Sequence, residues 1–257
     1  MVEGFRRLDP PSVPQLAVPI RVPKQCLKAA RTTHDKMVAH LTTAAFFYLL
    51  RIGEYTFPRT KAAQKQRKRT VNFRVKDVGF WKNGKILPRN SSLATLQTAD
   101  SATLKITNQK NGRMGQTIHQ EATNDTACPV HSLAWIVHHI LSNNGGDANY
   151  ICDFYTGTTW SHITDQDIKQ AIRTAAKTLN LRDQGIDPDL LGTHSLRAGG
   201  AMALKLQGFA DTIIMKLGRW TSLTFLQYIH NQIAHLSAGV SKKMSEDIAF
   251  LNIAAIE

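Results

Sequence analysis

Apolar residues along this chain recur first at helical spacing, then at alternate positions, then at helical spacing again. From Lys24 to Leu50 the pattern is helical and closes on the run Ala44-Ala45-Phe46-Phe47-Tyr48-Leu49-Leu50. This predicts a buried helix with Arg51 at its C-terminal end and Glu54 three residues on. Val71, Phe73 and Val75 then alternate with polar residues, and two apolar stretches, Val78 to Trp81 and Lys85 to Leu87, flank Asn83-Gly84. Leu104 and Ile106 alternate again toward Asn111-Gly112, beyond which Gln116 to His119 returns. Alternation around Asn-Gly pairs predicts antiparallel hairpins, because both residues accept the positive φ that a two-residue turn demands. Lys110 falls at the tip of the second hairpin, with Lys105 as the alternative lysine on the strand leading to it.

Helical spacing resumes where Pro129 opens a helix carrying Val130, Leu133, Ile136, Val137 and Ile140, stopped by Asn143-Asn144-Gly145-Gly146. The short apolar segment Tyr150 to Tyr155 precedes a helix capped by Thr164, with Asp167 three residues later. A loop from Arg182 to Pro188 leads into short helices. His194 and Arg197 share a helix face, and Gly208 and Gly218 are placed to stop helices in the left-handed conformation. Asp211 is placed to cap the second of these helices, whose apolar face is Phe209, Ile213, Ile214 and Leu217. Thr221 or Ser222 can cap a third helix carrying Leu223, Leu226 and Tyr228. Met244, Ile248, Leu251 and Ala255 mark a last amphipathic segment. Residues 1–23 hold Pro10, Pro11, Pro14, Pro19 and Pro23, a density that excludes a helix and reads as an arm or linker. The expected organisation is therefore an arm over 1–23, a domain over 24–240 and a C-terminal helix over 241–257. The fold class is mixed α+β, mainly helical, with a small antiparallel sheet of hairpins on one edge.

Composition narrows the function. A chain of 257 residues that is 42% hydrophobic can build one large core. No apolar run approaches the roughly 20 residues needed to span a bilayer, and the N-terminus lacks a signal peptide's apolar stretch. Cys26, Cys128 and Cys152 are scattered without a C-x-x-C, which argues against a disulfide framework or zinc site and fits a reducing, intracellular compartment. A net charge of +13 and a pI near 9.9 point to a polyanion, most simply nucleic acid. Binding of that kind should weaken steeply with salt, because bound phosphates release their counterions. Arg59, Lys61, Lys65, Arg67, Lys68 and Arg69 crowd a stretch without an acid, suited to DNA backbone contact or a nuclear address. Arg219 is a further candidate DNA contact.

Singly, the polar residues of the C-terminal half are commonplace. A His three residues before an Arg is most often a surface pair, and a Tyr on an amphipathic helix is most often a core residue with a wet hydroxyl. Their order is not commonplace. Leu50-Arg51-Ile52-Gly53-Glu54, then His194-Ser195-Leu196-Arg197, then Gly218-Arg219-Trp220, then Tyr228-Ile229-His230 resembles the catalytic domain of the tyrosine recombinases, the phage-integrase family, over roughly Lys24 to His230. The wording is nearest to recombinases of eukaryotic mobile elements such as Cryptons and tyrosine-recombinase retrotransposons. The Trp220-to-Tyr228 spacing is eight, where nine is usual in that family.

The resemblance implies a DNA breaking-and-rejoining fold and a site-specific recombinase or integrase. It implies Tyr228 as the nucleophile, forming a 3′-phosphotyrosyl link and freeing a 5′-hydroxyl. Arg51 and Arg197 would meet the extra negative charge of the five-coordinate phosphorus with forked, permanently charged groups. His194 would donate to the phosphate or assist proton transfer, Trp220 would donate one hydrogen bond, and Lys110 would protonate the departing oxygen. Glu54 would hold an active-site guanidinium or imidazole in place. Neither a cofactor nor a metal is implied: the phosphotyrosyl link conserves the bond energy that ATP would otherwise supply, and the fixed guanidiniums meet the charge that a divalent ion would otherwise meet. Double-stranded DNA is the expected partner, engaged by a homotetramer that can exchange the 241–257 helix; no membrane partner is expected. The nucleus is the expected location in a eukaryote, the cytoplasm or nucleoid otherwise. Family members carry a helical clamp domain of about a hundred residues before the catalytic one. Almost none of it is present here, so a catalytic fragment or a lost module is expected. Two other readings remain: a domesticated or fragmentary DNA-binding protein of the same fold that does not react, and a type IB topoisomerase.

Overall fold

The computed structural model describes residues 16–60, 71–106 and 115–220. Two helices open it, α1 (Arg21–Ala29) and α2 (Thr33–Phe47). The single helix expected from Lys24 to Leu50 is thus broken at Ala30-Arg31-Thr32. Thr32 accepts from the Asp35 backbone N–H and the Asp35 carboxylate accepts from the Thr32 N–H, a reciprocal box that starts α2 afresh. The arm expected over 1–23 also needs correction at its end. Pro23 lies in the first turn of α1, where a helix has no use for the N–H that proline lacks. Ala17 and Val18 just before it are buried. Helix α2 stops at Phe47, so Arg51 does not end it. Leu49 turns the chain at φ 49, and Arg51 stands at the start of the short helix α3 (Ile52–Tyr55).

The alternation at Val71, Phe73 and Val75 does not make a strand: Phe73 and Val75 are buried, while Val71 is exposed. Arg74 makes one isolated bridge to Tyr150, and a 3-10 turn, Val75–Asp77, follows. The sheet proper has the order β2-β1-β3-β4, built from β1 (Val78–Lys82), β2 (Lys85–Leu87), β3 (Ser101–Lys105) and β4 (Thr117–Glu121), all antiparallel. Asn83 and Gly84, at φ 50 and 73, make the first hairpin turn. A short helix α4 (Leu93–Gln97) bridges β2 to β3. The inner sheet face, Val78, Phe80, Ala102, Leu104 and Ile118, joins the main core. The sheet is fastened to the end of α2 by two side chains. The Tyr48 hydroxyl donates to the Ala102 carbonyl at 2.9 Å, and the Gln120 amide donates to the Phe47 carbonyl at 2.8 Å.

Helix α5 (Pro129–Ser142) packs along α2 with Pro129 at its first position. A small hairpin follows, β5 (Asp153–Tyr155) with β6 (Trp160–His162), where the sequence suggested only an apolar segment. Thr164 and Asp167 form the anticipated capping box on α6 (Asp165–Thr178). Helices α7 (Ser195–Leu206) and α8 (Asp211–Gly218) complete the described part. The first two turns of α7 are buried, and Gly199 and Gly200 are why it can sit so deep. A Cβ on Gly199 would stand 2.1 Å from the Val18 carbonyl oxygen, and one on Gly200 2.2 Å from that of Phe46. No helix among the described residues is long and apolar enough to cross a membrane.

Three expectations around α8 change. Gly208 does take the left-handed conformation, at φ 82, but at the far end it is Arg219, at φ 59, that does so and not Gly218. Gly218 is required for another reason: a Cβ there would lie 1.7 Å from the Trp220 ring. Asp211 is the first helical residue, pairs with Lys205 and makes no cap, since Ala210 occupies that position. Of the expected apolar face only Ile214 is fully buried, while Phe209 and Ile213 are 45% and 46% exposed.

Candidate active site

Leu49 is the centre on which the site is built. A leucine in the left-handed region is strained by its Cβ, and here the strain turns the Leu49 carbonyl toward two guanidiniums. Arg197 donates to it through Nη1, and Arg219 through Nη2 at 2.9 Å. Two residues later Arg51 begins α3. Its backbone N–H donates to Glu54 Oε2 at 2.8 Å and its Nη1 to Glu54 Oε1 at 3.3 Å. Glu54 is buried and takes a second cation, Arg219 Nη2, at 2.9 Å. Arg51 Nη2 reaches back to the Arg219 carbonyl at 3.2 Å. Arg197 Nη2 donates to the Gly218 carbonyl.

The fold thus brings Arg51, Glu54, Arg197, Arg219 and Trp220 together from three distant stretches. Arg197 is 3% exposed, and its guanidinium lies 4.3 Å from the Trp220 ring centroid, close enough for a cation–π contact. The fork expected to face a phosphate is occupied by two backbone carbonyls and covered by an indole. His194 stands at the exposed start of α7, one turn before Arg197. Solvent reaches the residue, but its surroundings are crowded. That desolvation, followed by the charge of Arg197, holds its pKa below the ordinary histidine value.

Arg219 is the largest departure from the sequence reading. Expected to contact DNA, it is instead 5% exposed and folded inward onto Glu54 and Leu49. Burial lowers its pKa, the Glu54 carboxylate opposes that, and the charge of Arg51 adds to it. An arginine holds its proton under such pressure, so two guanidiniums, Arg51 and Arg219, share the Glu54 carboxylate, while Arg197 lies on the neighbouring Leu49 carbonyl. Clustered guanidinium forks are the groups that an oxyanion with several oxygens engages. The inward turn of Arg219 and the strained Leu49 carbonyl are the features that sequence reasoning missed. Neither position carries the Gly or Asn that ordinarily marks a left-handed residue.

Arg59 is exposed and paired with Asp165 at 3.1 Å. Lys105 is exposed at the end of β3. Lys110, Tyr228, Lys61, Lys65, Arg67, Lys68 and Arg69 lie outside the described residues, as do the expected third helix and the 241–257 segment. No group of three or more His, Cys, Asp or Glu side chains suited to hold a metal is found among the described residues.

No family model matches the sequence, and no curated protein does. Solved structures do match. The XerH site-specific recombinase bound to palindromic difH substrate, in a post-cleavage complex, superposes with a TM-score of 0.55 at 12% identity, over 91% of this chain and 54% of that one. The XerH pre-cleavage complex with difH gives 0.50 at 12% identity, over 91% and 53%. The Tn1549 transposon integrase in complex with transposon right end DNA gives 0.44 at 10% identity, over 89% and 68%. The chain spans about half the length of the XerH recombinase it matches. The likeness is one of backbone geometry, and by it this chain has the catalytic-domain fold of the tyrosine recombinases.

Proposed function

We propose that the chain is a DNA strand transferase, a site-specific recombinase or integrase that cuts and rejoins DNA through a 3′-phosphotyrosyl intermediate. One observation carries the reading: on this fold, Arg51 and Arg197, 146 positions apart, converge on the turn between Leu49 and Glu54. Two fixed guanidiniums are the charge complement of a phosphorane, and they cost no reorganisation at the moment of reaction. Glu54 holds Arg51 at both its backbone and its fork, so that the guanidinium is oriented before DNA arrives. His194, kept neutral by its surroundings, is suited to move a proton at neutral pH. Tyr228 is the nucleophile of this proposal and Lys110 its general acid, with Lys105 the alternative. Attack by the Tyr228 oxygen forms the O–P bond while the bond to the 5′-oxygen breaks, and the lysine proton goes to that oxygen. Trp220 must leave the Arg197 guanidinium for a phosphate to reach it. A homotetramer on double-stranded DNA, exchanging the 241–257 helix, belongs to the same proposal, as does a mobile element as the source, which the G-R-W and Y-I-H wording supports.

A second reading, DNA binding without cleavage, is favoured by the one fact that Arg197 is covered and its fork engaged. The two separate in one experiment. The protein is incubated in EDTA with a pool of randomised nicked duplexes and with supercoiled plasmid, and stopped with SDS. A covalent protein–DNA adduct that disappears in Tyr228→Phe is the expected result. Retarded duplexes without an adduct would establish the binding module instead, and relaxed plasmid without recombinants a topoisomerase.

A further inference from the structure

We propose that Arg219 is a positioning residue, a brace that sets the separation of the two arginine motifs; this rests on the strand-transfer reading above. Its place in the fold is that of a cross-member. The Arg219 side chain grips Glu54 and the Leu49 carbonyl, while its own carbonyl receives Arg51. Glu54 in turn grips Arg51, so Arg51, Glu54 and Arg219 close a ring of hydrogen bonds between stretches about 165 residues apart. The carbonyl of the preceding residue, Gly218, takes Arg197, and the following residue, Trp220, covers it. Any shift of Arg219 therefore moves the Arg51 and Arg197 forks at once.

The energetics argue that the brace is not there for stability. Both Nε and Nη1 of Arg219 are buried with no hydrogen-bond partner among the described residues. A buried cation with three of its five N–H donors idle is a poor way to hold a core together, and an apolar side chain of similar size would do as well or better. Its backbone is also left-handed, at φ 59, opposite a second left-handed residue, Leu49. Strain of this kind persists where surroundings over-determine it, and it gathers at functional sites. Lysine cannot replace the brace, because a single ammonium on a flexible stem does not fork between a carboxylate and a carbonyl in fixed geometry.

The test uses the full chain and the randomised nicked duplexes, with DNA affinity and the first-order rate of adduct formation at saturating DNA read separately. Arg219→Gln is expected to bind DNA within about threefold of the parent and to form adduct at least about a hundredfold more slowly; Arg219→Lys should recover less than a tenfold part of that loss. Glu54→Gln should slow the same step, and the double variant should be no slower than the worse single one, since both act through one ring. Multiplying effects in the double variant, an unchanged rate, or a rate that falls only with the folded fraction seen by circular dichroism would overturn the proposal. If Arg219→Gln does not fold, Arg219→Lys decides by the same two readouts. An unreactive parent chain would remove the strand-transfer reading, and this one with it; a reactive parent with an unaffected Arg219→Gln removes this one alone.

Discussion

At the scale of single residues, side chains are held in states that their free chemistry would not choose. His40 is the clearest case. It is stacked on Trp135 at a centroid distance of 4.7 Å and contacts the Ser132 hydroxyl at 3.3 Å. Burial, with smaller effects from Lys36 and His131, brings its pKa from 6.5 down to about 4. A folded-state pKa below the unfolded one means that the unfolded chain binds more protons between those values. The stability is therefore complete above about pH 6.5 and lost as pH falls toward 4. Urea midpoints should fall between pH 7 and pH 4.5 by an amount equivalent to roughly 2 kcal/mol from this group. His40→Gln should flatten that slope while lowering the plateau. The meeting of Arg51 with Glu54 and of Arg197 with Trp220 was legible in the sequence from the order and spacing of their motifs. Leu49 and the inward turn of Arg219 were not, since both depend on a backbone conformation that neither residue advertises.

Among elements, close approach decides what can be substituted. Helix α7 carries His194 and Arg197 at its start, and it meets α2 backbone to backbone at Gly200, where a Cβ would stand 2.2 Å from the Phe46 carbonyl oxygen. Gly200→Ala favours the helix intrinsically by about 1 kcal/mol but forces α7 away from α2. The expected outcome is a net loss of about 1–3 kcal/mol, seen as a lower urea midpoint at unchanged m-value. Adduct formation should fall by more than the folded fraction, because Leu49 and Arg197 part company. Elements with their own punctuation were legible: the Asn83-Gly84 hairpin, Pro129 opening α5, and the Thr164–Asp167 box. Those that depend on a distant partner were not. Residues 71–75 alternate like a strand, yet Phe73 donates its N–H to the Glu54 carbonyl and accepts from Ile151, leaving only an isolated bridge at Arg74. The break between α1 and α2 carried a readable capping box at Thr32–Asp35, obscured by apolar spacing that runs on through both helices.

Over the whole molecule, motif order made the fold readable at an identity of 12% to the solved recombinases, since active-site geometry constrains only a few positions and leaves the core free to vary. Motif order did not reveal the part played by the residues just before α1. Val18 donates its N–H to the Ser195 carbonyl at 3.2 Å, its own carbonyl lies against Gly199, and Ala17 packs with Ala198, Ala201, Met202 and Ile214. That strip is a wall of helix α7 and not a tether leading up to it. Anyone shortening the gene for crystals would be tempted to cut at Lys24, where the prolines stop. A product starting there should be less stable than one starting at Leu16 by on the order of 3 kcal/mol, given about 1.5 kcal/mol or more for each large apolar side chain exposed, and should melt lower. Differential scanning calorimetry of the two products would settle where the scissors belong.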